Sequence, residues 1–491
     1  MTGGEALSPA KRALLERALL RRRESAGSDV TIRRRTQTGP APLSFAQQRM
    51  WFLEQWEPDS PTFNGARALR LRGALDRDAL ERSLRRVIER HESLRTVIVA
   101  GAEPLQAVLE EWSFELAVLP GPDTPSPQAL DELLRELSRR PFDLTSDLML
   151  RASLVMLGEQ DHVLLLGMHH IAADAHSDSV LFSELAELYA AERDGRTPNL
   201  PELPIQYADY AVWQRERLQG ELLEELRSYW ARTLEGAPEL LRLPTDRPRR
   251  PVQRHDGSHH RIALDRQLAD DLVALGREEG ATLFMTMLAA FTTLLYRLSG
   301  EEDIVIGSPI ANRNNLELQG MIGFFTNTLA LRTRLGGNPS FREVVRRARA
   351  TALGAYAHQD LPFERVVETV APRRDASYNP LFQVNFRAQA TERPALELAG
   401  LQVEPIAVDI GFSRFDLALE LELGPQALGG YFEYDRDLFD ATSIVGFEES
   451  LRALLTQIVE DPDAPILALA LERGQRSQKA AGRSIRRRPT R

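Results

Sequence analysis

The sequence predicts a mixed α/β (α+β) protein built as two lobes. Three observations lead there. The chain has 491 residues, more than one ordinary core needs, and chains of this length divide into domains of roughly 200 residues. Strand-like apolar runs alternate with segments of helical periodicity along most of it. Between the two halves lies a Pro-rich segment, RTPNLPELPIQYADYAVWQRE (196–216), which reads as a crossing.

At the start, SPAKRALLERALLRRR (8–23) places Ser and Pro at the cap and first turn, followed by leucines at helical spacing. A polar linker follows, and the globular part begins near Leu43. DRDALERSLRRVIERHESLR (76–95) is an amphipathic helix with Leu80, Leu84, Val87 and Ile88 on one face. HVLLLGMHH (162–170) is a buried strand, and SDSVLFSELAELYAAERDG (177–195) is the helix after it, with Ser177 expected as N-cap and Gly195 just past the end. Beyond the crossing, DDLVALGREEG (270–280) and FMTMLAAFTTLLYRL (284–298) are helices. DIVIGSPIA (303–311), TLALRTRL (328–335) and LGGYFEYDRDLF (428–439) are strands, and SIVGFEESLRALLTQIVED (443–461) is a last helix. The expected division is a helix and basic linker over 1–40, one lobe over 41–215, a second over 216–470, and a basic tail over 471–491.

Composition removes several function classes. The chain has no cysteine, which excludes disulfides, thiolate metal sites and a cysteine nucleophile. The net charge of −10 is uneven: the first 40 residues carry +5, residues 471–491 carry +7, and the body between them carries −22. An acidic body argues against nucleic acid as a partner, because phosphates need a basic face. No apolar run has the length of a signal peptide or membrane span, so a cytosolic protein with no membrane contact is expected. The initial Met suggests a natural N-terminus, whereas the abrupt basic end resembles a cut linker as much as a true C-terminus.

Chemistry concentrates in LLLGMHHIAADAHSDSVL (164–181), which holds three of the nine histidines. Strand, loop and capped helix in succession put loop side chains at the rim of a sheet. If the strand persists to its end, His169 and His170 point to opposite sides and do different jobs. His169, His170, His176, Asp174 and Asp178 are numerous enough for a metal, but adjacent strand residues diverge and the helical zinc spacing is missing, so no metal is expected. A structural histidine pair and a catalytic imidazole both remain open on the local residues. A neutral imidazole takes a proton at cellular pH, and an Asp four residues on, held by an Arg, could shape the loop around it.

Taken together, the motifs identify a resemblance. HHIAADA (169–175) resembles the HHxxxDG signature of the condensation domains of non-ribosomal peptide synthetases, in the chloramphenicol-acetyltransferase-like superfamily. SFAQQRMWFL from Ser44, RHESLRT from Arg90, YADYAVW from Tyr207, IGFFTNTLALR from Ile322, HQDLPFE from His358 and RDASYNPLFQ from Arg374 follow in the family's order. The resemblance implies two acetyltransferase-like lobes in a V-shaped pseudo-dimer with a central tunnel. It also implies an acyltransferase that joins a carrier-bound acyl or peptidyl thioester donor to the amine of a carrier-bound aminoacyl acceptor. No cofactor is bound in such a domain; 4'-phosphopantetheine is carried by the donor and acceptor peptidyl carrier proteins. Those carriers and neighbouring synthetase domains are the expected partners of a monomeric domain.

By match to the motif, His170 is the catalytic histidine, as proton acceptor or as a group that positions the amine. His169 and Asp174 support it, Asp174 pairing with an arginine for which Arg313 and Arg49 are the candidates. Ala175, His176, Ser177 and Asn327 are the expected substrate-binding positions. Two departures stand out: Ala175 replaces the signature glycine and His176 a bulky apolar residue. A methyl group at 175 narrows the acceptor approach, and a positive φ there would be strained. An ester-forming variant, an epimerisation domain and a non-catalytic recruitment module are the alternatives within the fold. Heterocyclisation domains carry aspartates where this chain has the histidine pair.

Overall fold

The computed structural model describes residues 31–58, 60–124, 126–373, 375–390, 396–423 and 428–471. The expected helix at 8–23 and the tail from 472 lie outside the described residues, as does Arg374. The first half runs β1 (Ala41–Pro42), α1 (Phe45–Trp56), β2 (Asn64–Arg72), α2 (Arg77–Arg90), β3 (Thr96–Val99), β4 (Leu105–Val108) and β5 (Ala117–Pro120). It continues with α3 (Pro127–Ser138), β6 (Leu150–Gly158), β7 (Asp161–His169), α4 (Ala175–Asp194) and α5 (Tyr207–Arg217). The second half holds α6 (Gly220–Leu234), β8 (Gly257–Leu264), α7 (Arg266–Glu278), α8 (Leu283–Ser299), β9 (Asp303–Ile310) and β10 (Asn327–Arg334). After these come α9 (Phe341–Ala357), α10 (Phe363–Val370), β11 (Val384–Ala390), β12 (Gln402–Ile406), β13 (Leu417–Leu423), β14 (Leu428–Asp435) and α11 (Ala441–Glu460).

Each lobe is an open sheet with its own core. The first sheet has the order β12-β2-β7-β6-β5 and the second β10-β9-β11-β13-β14-β8. The apolar run of β7 is explained by burial on both faces. Leu164, Leu166 and Met168 enter the core under α2 and α4, while Val163 and Leu165 pack with Leu134 and Leu137 of α3. In the second lobe α8 is buried along almost its whole length, its Phe291 packed against Phe386 and Phe432. No single helix among the described residues is long and apolar enough to cross a membrane.

The chain does not divide cleanly at residue 215. β12, from the stretch expected in the second lobe, pairs antiparallel with β2 of the first, Gln402 opposite Arg72 and Ile406 opposite Ala68. The connection returns past Asp409, which faces His259 of β8. His259 lies 3.6 Å from Asp409 Oδ1 and 3.5 Å from Glu433 Oε2 on β14. Burial disfavours its charge, but the attraction of the two carboxylates outweighs that and raises its pKa to about 9. A folded pKa above the unfolded value stabilises the fold fully below a pH of about 6.5, and the contribution disappears as pH rises through 9. Wild type is therefore expected to melt higher than His259→Gln at pH 6, with the gap closing by pH ~10. A gap unchanged between these pH values, in melting curves of the two proteins, contradicts the assignment.

Candidate functional site

The site grows from the end of β7. His169 is 1% exposed and turns into the protein. Its Nδ1 accepts the Ile171 N–H at 3.1 Å, so Nε2 carries the proton and donates to Glu54 Oε1 at 3.2 Å. Phe63 and Phe142 enclose the ring, with centroids 6.3 and 5.7 Å away. Burial, ahead of the attraction of Glu54, lowers its pKa. This is a packed, satisfied histidine.

His170 has a different setting and stays partly exposed. Its Nδ1–H donates to the Ala173 carbonyl at 3.1 Å, which leaves the lone pair of Nε2 available. The ring of Phe324, from the other lobe, lies 6.3 Å from it. Burial, and then the charge of Arg414, hold its pKa well below the ordinary histidine value. The imidazole is neutral at cellular pH and presents a hydrogen-bond acceptor between the lobes. The opposite orientation of the pair is what strand alternation predicted.

Asp174, not Ser177, is the N-cap of α4. Its Oδ1 accepts the Ser177 N–H at 3.0 Å, and Ser177 Oγ in turn accepts the Asp174 N–H at 3.1 Å, which makes a reciprocal capping box. Ala175 is thus the first helical residue and is not among the residues with positive φ, so the strain feared for a non-glycine there does not arise. Of the two candidate arginines, Arg313 pairs with Asp174, Nη2 to Oδ1 at 2.9 Å, both side chains only 2% exposed. Arg49 instead faces Glu364 at 3.4 Å and stands over the Phe363 ring. Among the described residues, no three His, Asp or Glu side chains form a group able to hold a metal ion.

Three further motifs, RHESLRT, YADYAVW and IGFFTNTLALR, meet at one loop, residues 322–325, which sets Phe324 beside His170. The Ile322 N–H donates to His91 Nδ1 at 3.2 Å, and Ser93 Oγ donates to Ile322 O at 2.8 Å. The Gly323 N–H reaches Ser177 Oγ at 3.2 Å, and Tyr207 OH donates to Phe324 O at 2.7 Å. The Phe325 N–H donates to Asp174 Oδ2 at 3.1 Å. Arg313 holds the carbonyls of Leu318, Met321 and Gly323. His176 donates from Nε2 to Gln319 O at 3.0 Å, so it latches α4 to the same segment. Nearly every backbone group of the loop is thus held by a side chain of the first lobe.

Asn327 lies outside this cluster. Its Nδ2 donates to Gln359 O and Leu361 O, both at 2.9 Å, while its Oδ1 accepts the N–H of Phe363 and of Thr328. All of its amide capacity goes to clamping the HQDLPF segment onto β10. Arg414 was missed in the sequence because it stands in no quoted motif. Glu54, His91 and Ser93 stand in or beside quoted motifs whose residues carried no assigned role.

Gly323 is needed for its lack of a side chain. A Cβ there would lie 2.4 Å from Tyr207 Cδ2 and 2.6 Å from Phe325 Cε2, against rings that are themselves packed. Gly323→Ala is expected to cost roughly 1–3 kcal/mol through this overpacking. Urea unfolding of the variant measures it, and an unchanged midpoint would refute the tight fit.

The geometry can be set beside known proteins. The Condensation domain family matches residues 37–479. One of the linear gramicidin synthase proteins of Brevibacillus parabrevis is 47% identical over 436 residues, 88% of this chain and 6% of that protein. Phosphinothricin tripeptide synthetase PhsC of Streptomyces viridochromogenes is 42% identical over 472 residues, 94% of this chain and 43% of that protein. The chain therefore spans less than half of either relative. Among solved structures, the X-domain in its complex with OxyB from teicoplanin biosynthesis superposes with a TM-score of 0.84 at 31% identity, covering 91% of this chain and 99% of that one. Fold, motif order and the histidine-centred interface lead to one assignment: the chain belongs to the condensation-domain family.

Proposed function

We propose that this domain forms an amide between two carrier-tethered substrates, with His170 at the reacting centre. One observation carries the reading: a neutral imidazole whose Nδ1–H is bonded to Ala173 O, leaving Nε2 available as an acceptor at the lobe interface. The donor is an acyl or peptidyl thioester and the acceptor an aminoacyl thioester. Each is held on a 4'-phosphopantetheine arm of a carrier domain. The acceptor nitrogen attacks the thioester carbon, the C–N bond forms and the C–S bond breaks. The amine proton ends on the departing thiolate, giving an amide on the acceptor arm and a free thiol on the donor arm. Nε2 accepts an amine N–H and so aims the nitrogen lone pair.

A thioester is already activated, so alignment of two tethered groups can supply several kcal/mol of the barrier. In this reading Asp174, Ser177 and Arg313 hold the loop that completes the site, while Ala175 narrows the acceptor approach. His176 and Asn327 act through the backbone they hold rather than by touching substrate. The domain works as a monomer in the cytosol, meeting donor and acceptor carriers and the neighbouring domains of a synthetase.

The likeness to an X-domain seen with OxyB favours one second reading, recruitment of a partner protein without chemistry. Carrier domains loaded with a donor and a panel of amine and hydroxyl acceptors, incubated in deuterated water and read by mass spectrometry, separate the possibilities. Amide on the acceptor arm supports the proposal, and ester would change the acceptor class. Deuterium at the α-carbon without condensation would mean epimerisation. No product from any acceptor, together with a stable complex with an OxyB-type protein, would mean recruitment.

A further inference from the structure

The loop before β13 reaches across to the other lobe. Arg414 Nη2 donates to Thr62 O at 3.0 Å, and the guanidinium stands over the Phe63 ring, 5.3 Å from its centroid. These two residues support the histidine: the His170 N–H donates to Phe63 O at 2.8 Å. Arg414 is itself tied to the second sheet, its backbone N–H donating to Glu433 Oε1 at 3.3 Å. Nearby arginines have carboxylates. Arg67 bonds Asp178 at 2.8 Å, Arg313 bonds Asp174 at 2.9 Å, and Arg387 pairs with Glu420. The Arg414 guanidinium has no carboxylate oxygen within ion-pair distance among the described residues, and its bond to Thr62 O is the only side-chain hydrogen bond it makes there.

Glu433 and Glu420 attract the guanidinium from the second sheet without reaching ion-pair distance, so the cation keeps part of its desolvation cost. We propose that Arg414 is a positioning residue of the reacting centre. From the opposite lobe it holds the Thr62–Phe63 backbone that carries His170 and brings a positive charge to that side of the interface. The inference rests on His170 being the reacting centre.

Two consequences follow from the sign of the charge. The cation disfavours an imidazolium at His170, which keeps Nε2 an acceptor. It also favours the negative charge that develops on the thioester oxygen as the amine attacks. The other groups facing His170 do not substitute for it. His169 is neutral and bonded to Glu54, Arg67 of β2 is paired with Asp178, and from the second lobe the neighbour is the uncharged Phe324. Burial lowers the His170 pKa first and Arg414 next, in keeping with this arrangement.

The test is a histidine-selective ¹³C NMR titration of the full chain, with the His170 signal assigned from His170→Gln. In Arg414→Gln the His170 midpoint is expected to move to higher pH. Arg414→Lys, which keeps the charge, is expected to stay near wild type. His162, whose pKa is lowered by burial and lies outside Arg414's influence, serves as the fixed reference. The acid limb of the condensation rate should move with the NMR midpoint. An unchanged His170 midpoint in Arg414→Gln overturns the proposal. Should that variant fail to fold, Arg414→Met, which keeps the apolar stem without the charge, decides: a His170 midpoint moved to higher pH supports the cation, and an unmoved midpoint overturns it. Failure of the reading that His170 is the reacting centre has its own signature, full product formation by His170→Gln, which leaves this titration unaffected.

Discussion

Asp174→Ala is expected to lower the unfolding free energy by roughly 3–5 kcal/mol, and Arg313→Ala by a similar amount, because each leaves the other's charge buried and unpaired. Both side chains are 2% exposed and 139 residues apart in the chain. Asp174 alone receives the Ser177 N–H, the Phe325 N–H and the Arg313 guanidinium. Its loss uncaps α4, releases the 322–325 loop and strands a cation in one step. The double variant should lose less than the sum of the two, since removing both partners abolishes the stranded charge. Urea unfolding of the three variants measures this. Asp174→Ala with full stability and full activity would show that the residue has no such role.

Much of this was legible in the sequence, and the failures have physical causes. The two-lobed α/β class followed from alternating periodicities, and the opposed histidines followed from strand geometry at the end of β7. The start of α4 was misplaced by three residues, because Asp174 and Ser177 both have capping side chains at the very spacing of a capping box. Periodicity cannot say which of the two stands outside the helix. The partner of Asp174 lay beyond local reading for another reason: the contact closes across 139 residues, and only the fold chooses between Arg313 and Arg49. β12 joins the first sheet although nothing in GlnValGluProIle (402–406) names the strand it pairs with. Asn327 has the chemistry of a ligand-binding residue, but its amide is saturated by backbone, which only the fold reveals.

The largest effect on activity is expected from His170→Gln, with a loss of roughly 10² to 10⁴ in the condensation rate. Its fold should survive, because the side chain is partly exposed and holds only the Ala173 carbonyl. His169→Gln is the opposite case. It removes the ring packed against Phe63 and Phe142 and the Nδ1 that accepts the Ile171 N–H, at a cost of about 1–3 kcal/mol in stability. Its effect on rate should follow from that instability. The most direct test is therefore the single-turnover rate of amide formation between loaded carrier domains, measured for wild type, His170→Gln and His169→Gln alongside their unfolding curves. The account predicts a stable, inactive His170→Gln and a destabilised His169→Gln that still turns over where folded. A His170→Gln protein that forms amide at the wild-type rate contradicts it.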